Sequence, residues 1–515
     1  MLTLSALTKL DPATNPPEHH VVAASASKAA SGWTSYLPSW APSPGRSRVS
    51  LNKSDSAGFR NPWPSWHKPS AVEKWDSLQW GEDDDGCVEL AASHLADNPA
   101  PQKPEPGKRP RFSDIDNWPD SVGAKAARLL RIEDPDFSFP SNASAKVTWL
   151  GHASVLVQLP PLGSGIDRPV RCLFDPIFSA RCSPSQHAGP IRSYPPPCKA
   201  EDLPEIDAVF ISHNHYDHMD YDSIMAVWRQ SRDVVRFFVP QGNKKWLLDW
   251  GISADRIVEL DWWESAELAH SSLTPTNKAL KIWCTPAQHN SFRSGGDTNT
   301  ALWSSWYLEY LTPDNPPFRV FFAGDTGYQF HASPAWPPSP RNPDPPENEE
   351  GKEFTACPAF AQIRDRIGPP NLLLLPVSVG ATFAYLRSFV PLPNWINPFP
   401  RHSAGVTAAN HLPPWDAVRV LKIMTETENG VQQLGGTEQP AVAVAMHWGT
   451  FVTDPVEVLR TLGALEWACQ AQGVRFARGL EDGMGKDNAS GERGADGKEV
   501  PPWFVALNHG QSVSL

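Results

Sequence analysis

Residues 211–220 read ISHNHYDHMD and directly follow the short apolar run DAVF. Side chains alternate along an extended chain, so His213 and His215 point to the same side if the run continues as a strand. A turn after them would direct Asp217 and His218 towards a second point nearby. This density of imidazole and carboxylate groups behind a strand predicts a metal site.

Three other strand-like runs also end in a residue that can bind a metal. KIWCTPAQ leads to His289, FRVFFAG leads to Asp325, and AVAVAM leads to His447. The ends of strands are rigid positions, and a metal site requires its ligands to be held to within about 0.5 Å. We therefore expect these side chains to meet the first cluster.

The resulting set contains five histidines and two carboxylates, which suits two Zn²⁺ ions, because imidazole favours zinc and a carboxylate can lie between two ions. A lone histidine is more often structural, and His289, Asp325 and His447 are weaker indications taken singly. The predicted metal ligands are His213, His215, Asp217, His218, His289, Asp325 and His447.

Composition excludes several classes of protein. The 45 basic and 57 acidic residues give a net charge of −12, which argues against general nucleic-acid binding. The seven cysteines form no CxxC pair, so neither a disulfide framework nor a cysteine zinc site is indicated. No apolar run approaches the ~20 residues of a membrane span, and the start is a poor secretory signal. These features predict an intracellular protein, not a secreted one, with a mitochondrial location left open.

Short β-branched runs alternate with amphipathic segments and predict a mixed α/β domain with buried sheets. We predict a disordered extension rich in Pro, Ser and Ala over 1–57, a partly ordered segment over 58–142 and a hydrolase domain over 143–515. Low-complexity surface insertions are expected near 329–356 and 481–499.

HNHYDH resembles the HxHxDH motif of the metallo-β-lactamase fold, an α/β class whose αββα sandwich carries two metals at one edge. More narrowly, the chain is similar to N-acylphosphatidylethanolamine-hydrolysing phospholipases D. The matching stretches include FRNPWPSW, VTWLGHASVLV, FDPIFSARCSPSQHAGP, LPEIDAVFISHNHYDHMDY, FFAGDTGY, MHWGTF and LNHGQS.

The resemblance implies one zinc on His213, His215 and His289, a second on Asp217, His218 and His447, and Asp325 between them. It also implies a histidine beside the metals that binds or orients the phosphoryl group. The matching segment, HLPPWDAVRVL, assigns this role to His411, with His402 as a rival. His152 in GHAS is a further candidate near the site, and a purely structural role for it stays open. The implied catalytic residues are Asp217, Asp325 and His411.

The resemblance implies hydrolysis of a membrane phospholipid to phosphatidate and N-acylethanolamine. The protein would then bind a phospholipid surface peripherally, at the cytoplasmic face of a membrane or in mitochondria. No nucleic-acid partner is expected, and a homodimer stays open. Aromatic segments at 244–251, 260–265 and 383–399 are candidates for membrane contact, although core packing is favoured for the first two. The residues predicted to contact substrate or membrane are Tyr221, Phe389, Trp395 and Phe399.

Other functions fit the same motif. Lactonases, glyoxalase-type thioesterases and tRNA-maturing nucleases share HxHxDH, and the acidic charge disfavours the nuclease. Diiron flavoproteins of this fold carry Glu where His215 stands. A non-catalytic lipid-binding scaffold is weakened because all seven expected ligands are present.

Overall fold

The fold is described from a computed structural model. The residues it describes are 2–10, 18–21, 58–79, 85–95, 105–112, 121–162, 168–270, 278–313, 315–344, 354–377, 401–426, 440–452, 454–479 and 501–515.

The larger sheet has nine strands, which are antiparallel on one side and parallel on the other. In spatial order the strands are β1 (Leu2–Thr8), β11 (Ser265–His270), β12 (Ala279–Thr285), β13 (Ser305–Leu311), β14 (Phe318–Phe322), β15 (Leu372–Pro376), β17 (Val442–Met446), β19 (Trp503–Val505) and β18 (Arg475–Ala477).

The smaller sheet has seven strands, and its parallel half is β10 to β7. In spatial order the strands are β10 (Ile257–Leu260), β9 (Arg236–Pro240), β8 (Ala208–Phe210), β7 (Val170–Phe174), β6 (Ser154–Leu159), β5 (Lys146–Gly151) and β20 (Ser512–Ser514). Two short pairs complete the described strands, β2 (His20–Val21) with β3 (Gly58–Phe59) and β4 (Leu78–Gln79) with β16 (Arg401–His402).

Helices cover the outer faces of both sheets. Those described are α1 (Ala71–Asp76), α2 (Cys87–Ser93), α3 (Val122–Leu129), α4 (Tyr221–Ser231), α5 (Lys244–Asp249), α6 (Ala359–Ile367), α7 (Ala404–Thr407), α8 (Pro414–Thr425) and α9 (Val456–Gln472). In the part of the chain that the structure describes, none of them is long and apolar enough to cross a membrane.

The two sheets pack face to face through large aromatic rings. Phe174 of β7 lies 4.6 Å from Phe322 of β14 between ring centroids, and Phe210 of β8 lies 5.6 Å from Trp306 of β13. All four side chains are fully buried. Buried aromatic side chains contribute large apolar areas, so they hold the sheets together.

A second apolar layer separates the smaller sheet from α4 and α5. Ile224, Val227 and Leu247 of these helices are buried against Val209 and Phe237 of the sheet. On the far side, buried residues of α8 and α9 join the same core cluster as the leucines of β15. The order helix, sheet, sheet, helix confirms the predicted αββα sandwich.

The topology brings the predicted ligands to one edge. In the larger sheet, β12, β14 and β17 run in the same direction, because β12 and β14 are each antiparallel to β13 and the strands from β14 to β17 are parallel. Their carboxyl ends therefore lie at one edge, and His289, Asp325 and His447 follow these ends.

Two of the predicted low-complexity segments contain residues with a fixed place in the fold. Within 1–57, residues 2–8 form β1, which pairs with β11, and Lys9 Nζ lies 2.5 Å from Glu264 Oε2. Alternation of apolar residues in LTLSALT was the available signal. In the insertion near 329–356, Phe330 and Trp336 are buried, because their large apolar rings pack inside the fold.

Candidate metal centre

The loop after β8 has the turn that the sequence predicts. His213 lies three residues after the end of β8 at Phe210. Beyond it, the backbone N–H groups of His218 and Met219 donate to the carbonyl of His215 at 3.2 and 2.9 Å. Asp220 is the N-cap of α4, and its carboxylate accepts a hydrogen bond from the Ser223 N–H. A helix start with a side-chain cap fixes where the loop ends.

The structure brings His213, His215, His289 and Asp325 into one group, whose ligand atoms all lie within 4.8 Å of one another. His213 Nε2 is 2.8 Å from His215 Nδ1, and His289 Nε2 is 3.4 Å from the same atom. His213 and His289 are buried. Three imidazoles facing one point is the arrangement expected of a metal site.

A second group contains His152, Asp217, His218 and His447, again with ligand atoms within 4.8 Å. His218 Nε2 and His447 Nε2 lie 3.5 and 3.7 Å from Asp217 Oδ2. His152 Nε2 is closer to that oxygen, at 3.0 Å. His152 therefore belongs with the site and packs against its ligands.

Asp325 lies between the two groups. Its Oδ2 is 3.9 Å from His213 Nε2 and 3.7 Å from His289 Nε2, while its Oδ1 is 3.0 Å from His447 Nε2. His218 Nε2 is 3.2 Å from Oδ2. One carboxylate thus faces both groups, which is the position of a bridging ligand.

The outward nitrogens of three imidazoles are held by other groups. Ser212 Oγ is 2.9 Å from His213 Nδ1, and Asp175 Oδ2 is 2.7 Å from His218 Nδ1. The carbonyl of Asn410 lies 3.1 Å from His289 Nδ1 and accepts its proton. Such partners orient histidine rings so that the other nitrogen can bind a metal.

Burial keeps one set of histidines neutral. It lowers the pKa of His213 and His289 well below the ordinary range, and neighbouring imidazoles add to the effect. Burial also lowers the pKa of His215, to about 4. A neutral imidazole offers a lone pair, so these three rings are ready to bind a cation at neutral pH.

The other two histidines behave in the opposite way without a metal. Burial lowers the pKa of His447, but Asp325 and Asp217 outweigh it and raise the value to about 9. The same carboxylates raise the pKa of His218 well above its ordinary range against burial. Protons therefore occupy positions that a cation would take, and binding a cation would release them.

Unusual backbone marks the site. His152, Asp175 and His447 have φ values of 51°, 37° and 60°, in the left-handed region that non-glycine residues rarely adopt. Such conformations cluster at functional sites. Gly324 has φ 59°, and a Cβ there would lie 2.6 Å from Ser212 Cβ, so the turn before Asp325 requires glycine.

Unpaired buried atoms support the fit of a metal. Among the described residues, His218 Nε2, Asp325 Oδ1 and both ring nitrogens of His447 are buried and make no hydrogen bond. The 3.0 Å contact between Asp325 and His447 has the distance of a hydrogen bond but not its alignment. Buried polar atoms normally have partners, and a cation at this position would supply them.

His411, not His402, lies beside the clusters. His411 Nε2 is 3.3 Å from Asp325 Oδ2, and its side chain is 15% exposed. His402 belongs to β16, and its Nδ1 is 2.6 Å from Ser77 Oγ. Of the two predicted candidates, His411 is therefore the one that lies beside the clusters.

The predicted contact residues are placed only in part. Tyr221 begins α4, is 44% exposed and meets Trp250 edge to face with ring centroids 5.2 Å apart. Trp262 of the 260–265 segment is buried, as core packing requires. Phe389, Trp395 and Phe399 lie outside the described residues.

Sequence reasoning missed Asp175, which is fully buried and bonds both His218 and Ser212. It follows β7, so the strand-end argument could have found it. Asn61, which brackets the backbone of His289 with hydrogen bonds of 2.7 and 3.2 Å, carried no comparable signal.

Comparison with known proteins agrees with this geometry. The family model for the beta-lactamase superfamily domain matches residues 170–336, which contain the HxHxDH loop, His289 and Asp325. Residues 170–336 are thus similar to this superfamily domain. The two sheets and edge site of the chain are those of the metallo-β-lactamase fold.

Curated relatives of this chain include two phospholipases. The N-acyl-phosphatidylethanolamine-hydrolyzing phospholipase D 1 of Caenorhabditis elegans is 31% identical over 61% of this chain and 66% of its own. The mitochondrial N-acyl-phosphatidylethanolamine-hydrolyzing phospholipase D of Saccharomyces cerevisiae is 29% identical over 62% of this chain and 52% of its own. The chain thus spans just under two thirds of the first relative and about half of the second.

Among solved structures, the diiron β-hydroxylase CmlA from Streptomyces venezuelae aligns over 76% of this chain and 59% of its own. Its sequence identity is 16% and its TM-score is 0.37, so the likeness supports no statement about the metal or the reaction.

Proposed function

We propose that the protein is a zinc-dependent phosphodiesterase of phospholipase D type, which hydrolyses N-acylphosphatidylethanolamine to phosphatidate and N-acylethanolamine. The observation that carries the proposal is Asp325, whose carboxylate lies between the two groups and contacts histidines of both. Similarity to two phospholipases with this activity in their names supports the choice of substrate.

Two zinc ions suit the residues present. His213, His215 and His289 would hold one ion, Asp217, His218 and His447 the other, and Asp325 both. When bound, such a pair polarises phosphoryl oxygens and makes water a nucleophile at neutral pH.

The protein's own groups bind the substrate and move protons. We propose that His411 donates from Nε2 to a phosphoryl oxygen, because that atom points at Asp325 between the two groups. Asp217 is 26% exposed on its side chain, and its pKa is held well below the ordinary range by His218 and His152 in spite of burial. It therefore stays a carboxylate at neutral pH, as a metal ligand must, and we propose that it also accepts a hydrogen bond from the attacking water and so orients that water.

The bonds and protons of the reaction balance without a further reagent. Water forms a new oxygen bond to phosphorus, and the bond from phosphorus to the ethanolamine oxygen breaks. The proton taken from water returns to the leaving oxygen. The products are phosphatidate and an N-acylethanolamine.

The substrate implies a membrane surface as partner, and we propose peripheral binding with no nucleic-acid partner. Exposed Tyr221 of α4 packs against Trp250, which follows α5, and Leu248 of α5 is exposed as well, so we propose these side chains for contact with lipid. The yeast relative is named mitochondrial, which supports a mitochondrial or other intracellular membrane. A homodimer is compatible with the proposal.

A substrate panel tests the proposal. Purified protein with measured zinc is incubated with N-acylphosphatidylethanolamine, plain phosphatidylethanolamine and a set of lactones, and the released head groups are identified. Release of N-acylethanolamine with about two zinc ions per chain is expected. Lactone opening without phospholipid cleavage would instead assign a lactonase.

A further inference from the structure

Two imidazoles at the site, His289 and His411, both contact Asn410 through Nδ1, but through different atoms of Asn410. His289 directs Nε2 towards Asp325 and its Nδ1 towards the Asn410 carbonyl, at 3.1 Å. His411 also directs Nε2 towards Asp325, but its Nδ1 lies 3.1 Å from the Asn410 side-chain nitrogen Nδ2.

The two partners have opposite hydrogen-bonding character. A carbonyl only accepts, so His289 must carry its proton on Nδ1, and its Nε2 offers a lone pair. An amide nitrogen only donates, so His411 Nδ1 must offer a lone pair, and its proton sits on Nε2. We propose that Asn410 sets both tautomers, giving one ring a lone pair for a metal and the other an N–H for the substrate.

The Asn410 amide also faces the amide of Asn290. Asn290 Nδ2 lies 3.5 Å from Asn410 Oδ1, which places a donor against the oxygen and leaves Nδ2 for His411. The reverse orientation would set two donors against each other. Amide orientation at a site follows from its hydrogen-bond network.

The backbone of Asn410 is also fixed. The N–H groups of Asn410 and His411 both donate to the Thr407 carbonyl, at 2.8 and 2.9 Å. Buried Gln288 donates from Nε2 to the neighbouring Ala409 carbonyl at 2.8 Å and accepts from Ser65 Oγ. The carbonyl that faces His289 therefore does not depend on the Asn410 side chain.

The carbonyl and the side chain of Asn410 therefore act on different histidines. Replacing the Asn410 side chain leaves the acceptor for His289 in place, so metal binding should persist. The same replacement removes the donor to His411, which can then place its proton on Nδ1 and face the substrate with a lone pair. Asn410 is thus a positioning residue for His411, and the inference rests on the proposed function for its effect on turnover.

The test uses the full-length protein and three substitutions, Asn410→Ala, Asn410→Asp and Asn410→Gln, with exposed Asn315→Ala as the control. We expect wild-type metal content in all of them. Asn410→Ala should lower kcat on N-acylphosphatidylethanolamine by about 10- to 100-fold and change KM by less than about threefold. Complete removal of one donor to the transition state typically lowers kcat by ~10²–10³-fold, and here the donor is only misdirected in part. Asn410→Asp, which supplies an acceptor, should be at least as impaired, and Asn410→Gln should recover most of the rate.

Ring-¹⁵N histidine NMR reports the tautomer directly and needs no substrate. The His411 signals, assigned with His411→Ala, should show the Nε2–H form in wild type and a mixture in Asn410→Ala. Wild-type kcat in Asn410→Ala, or an unchanged His411 tautomer, would overturn the inference. The wild type could cleave no phosphodiester while the His411 tautomer still differs between wild type and Asn410→Ala as expected. In that case the proposed function fails and the tautomer assignment stands.

Discussion

At the scale of single residues, Asp325 is the group on which both halves of the centre depend. Its Oδ1 faces His447 and its Oδ2 faces His289. Asp325→Asn keeps the shape of the side chain but removes its charge. We expect metal content to fall and turnover to drop at least ~10²-fold, because bridging ligation supports both ions.

Metal analysis and kinetics on this variant check the prediction. Asp255→Asn, which changes a carboxylate that is 76% exposed and distant in the sequence, is the matched control. Wild-type zinc and turnover in Asp325→Asn would remove the bridging role.

His411 should behave differently from the ligands. His411→Ala is expected to keep its zinc and lose ~10²–10³ in kcat, the effect of removing one donor to the transition state. His402→Ala is the control, since His402 bonds Ser77 away from the clusters. If His402→Ala shows the loss and His411→Ala does not, the histidine has been assigned wrongly.

Much of the site could be predicted from the residue types in the sequence. Each of the seven predicted ligands follows a strand, and the structure places all seven within the two groups. His152 in GHAS was a candidate, whereas Asp175 was missed although it follows β7; the positive φ of both residues leaves no pattern in the sequence. Asn410 was hidden for another reason, because it acts through a hydrogen bond to a neighbouring ring and not through a ligand atom.

At the scale of elements, the turn after β14 packs directly on the loop between α7 and α8. A Cβ on Gly327 would lie 2.0 Å from the Ala409 carbonyl and 2.3 Å from Asn410 N. Gly327→Ala must therefore displace the loop that carries His411, at a cost of about 1–3 kcal/mol for overpacking.

We expect Gly327→Ala to lower both the melting temperature and kcat, the latter at least ~10-fold because small misplacements of catalytic groups are costly. Gly296→Ala is the control, since a Cβ there meets nothing within 4 Å. A stable, fully active Gly327→Ala would show that the two loops do not need this contact.

The segment before β3 is tied to the turn between β10 and β11 by a titratable cluster. His19 and His20 each lie 2.7 Å from an oxygen of Asp261. Burial lowers the pKa of His19 below 6.5 in spite of that carboxylate. Burial alone would raise the pKa of Asp261, but the two histidines hold it well below its usual range.

The sign of the pH effect follows from these shifts. The unfolded chain protonates His19 below about pH 6.5 while the folded chain does not, so stability falls as pH decreases from there. The contribution of Asp261 to the free energy of unfolding is lost only below about pH 4, where the unfolded chain protonates this carboxylate. We expect His19→Gln to lose less melting temperature than wild type between pH 7 and 5, with half-exposed His94→Gln as the control. Equal losses in both variants would exclude the His19 contribution.

At the scale of the whole molecule, the fold class could be predicted because buried strands, helices and turns each leave a periodic pattern. The order of the strands could not, since β1 at one end of the chain closes the far side of the larger sheet beside β11. Pairing over such a separation depends on packing across the whole domain and not on local sequence.

The central claim is that water attacks phosphorus at this centre and releases N-acylethanolamine. The most direct measurement is hydrolysis of N-acylphosphatidylethanolamine in H₂¹⁸O with mass analysis of both products. The account predicts one ¹⁸O atom in phosphatidate and none in N-acylethanolamine. Label in a phosphorylated N-acylethanolamine with release of diacylglycerol, or no hydrolysis by protein that holds two zinc ions, would contradict it.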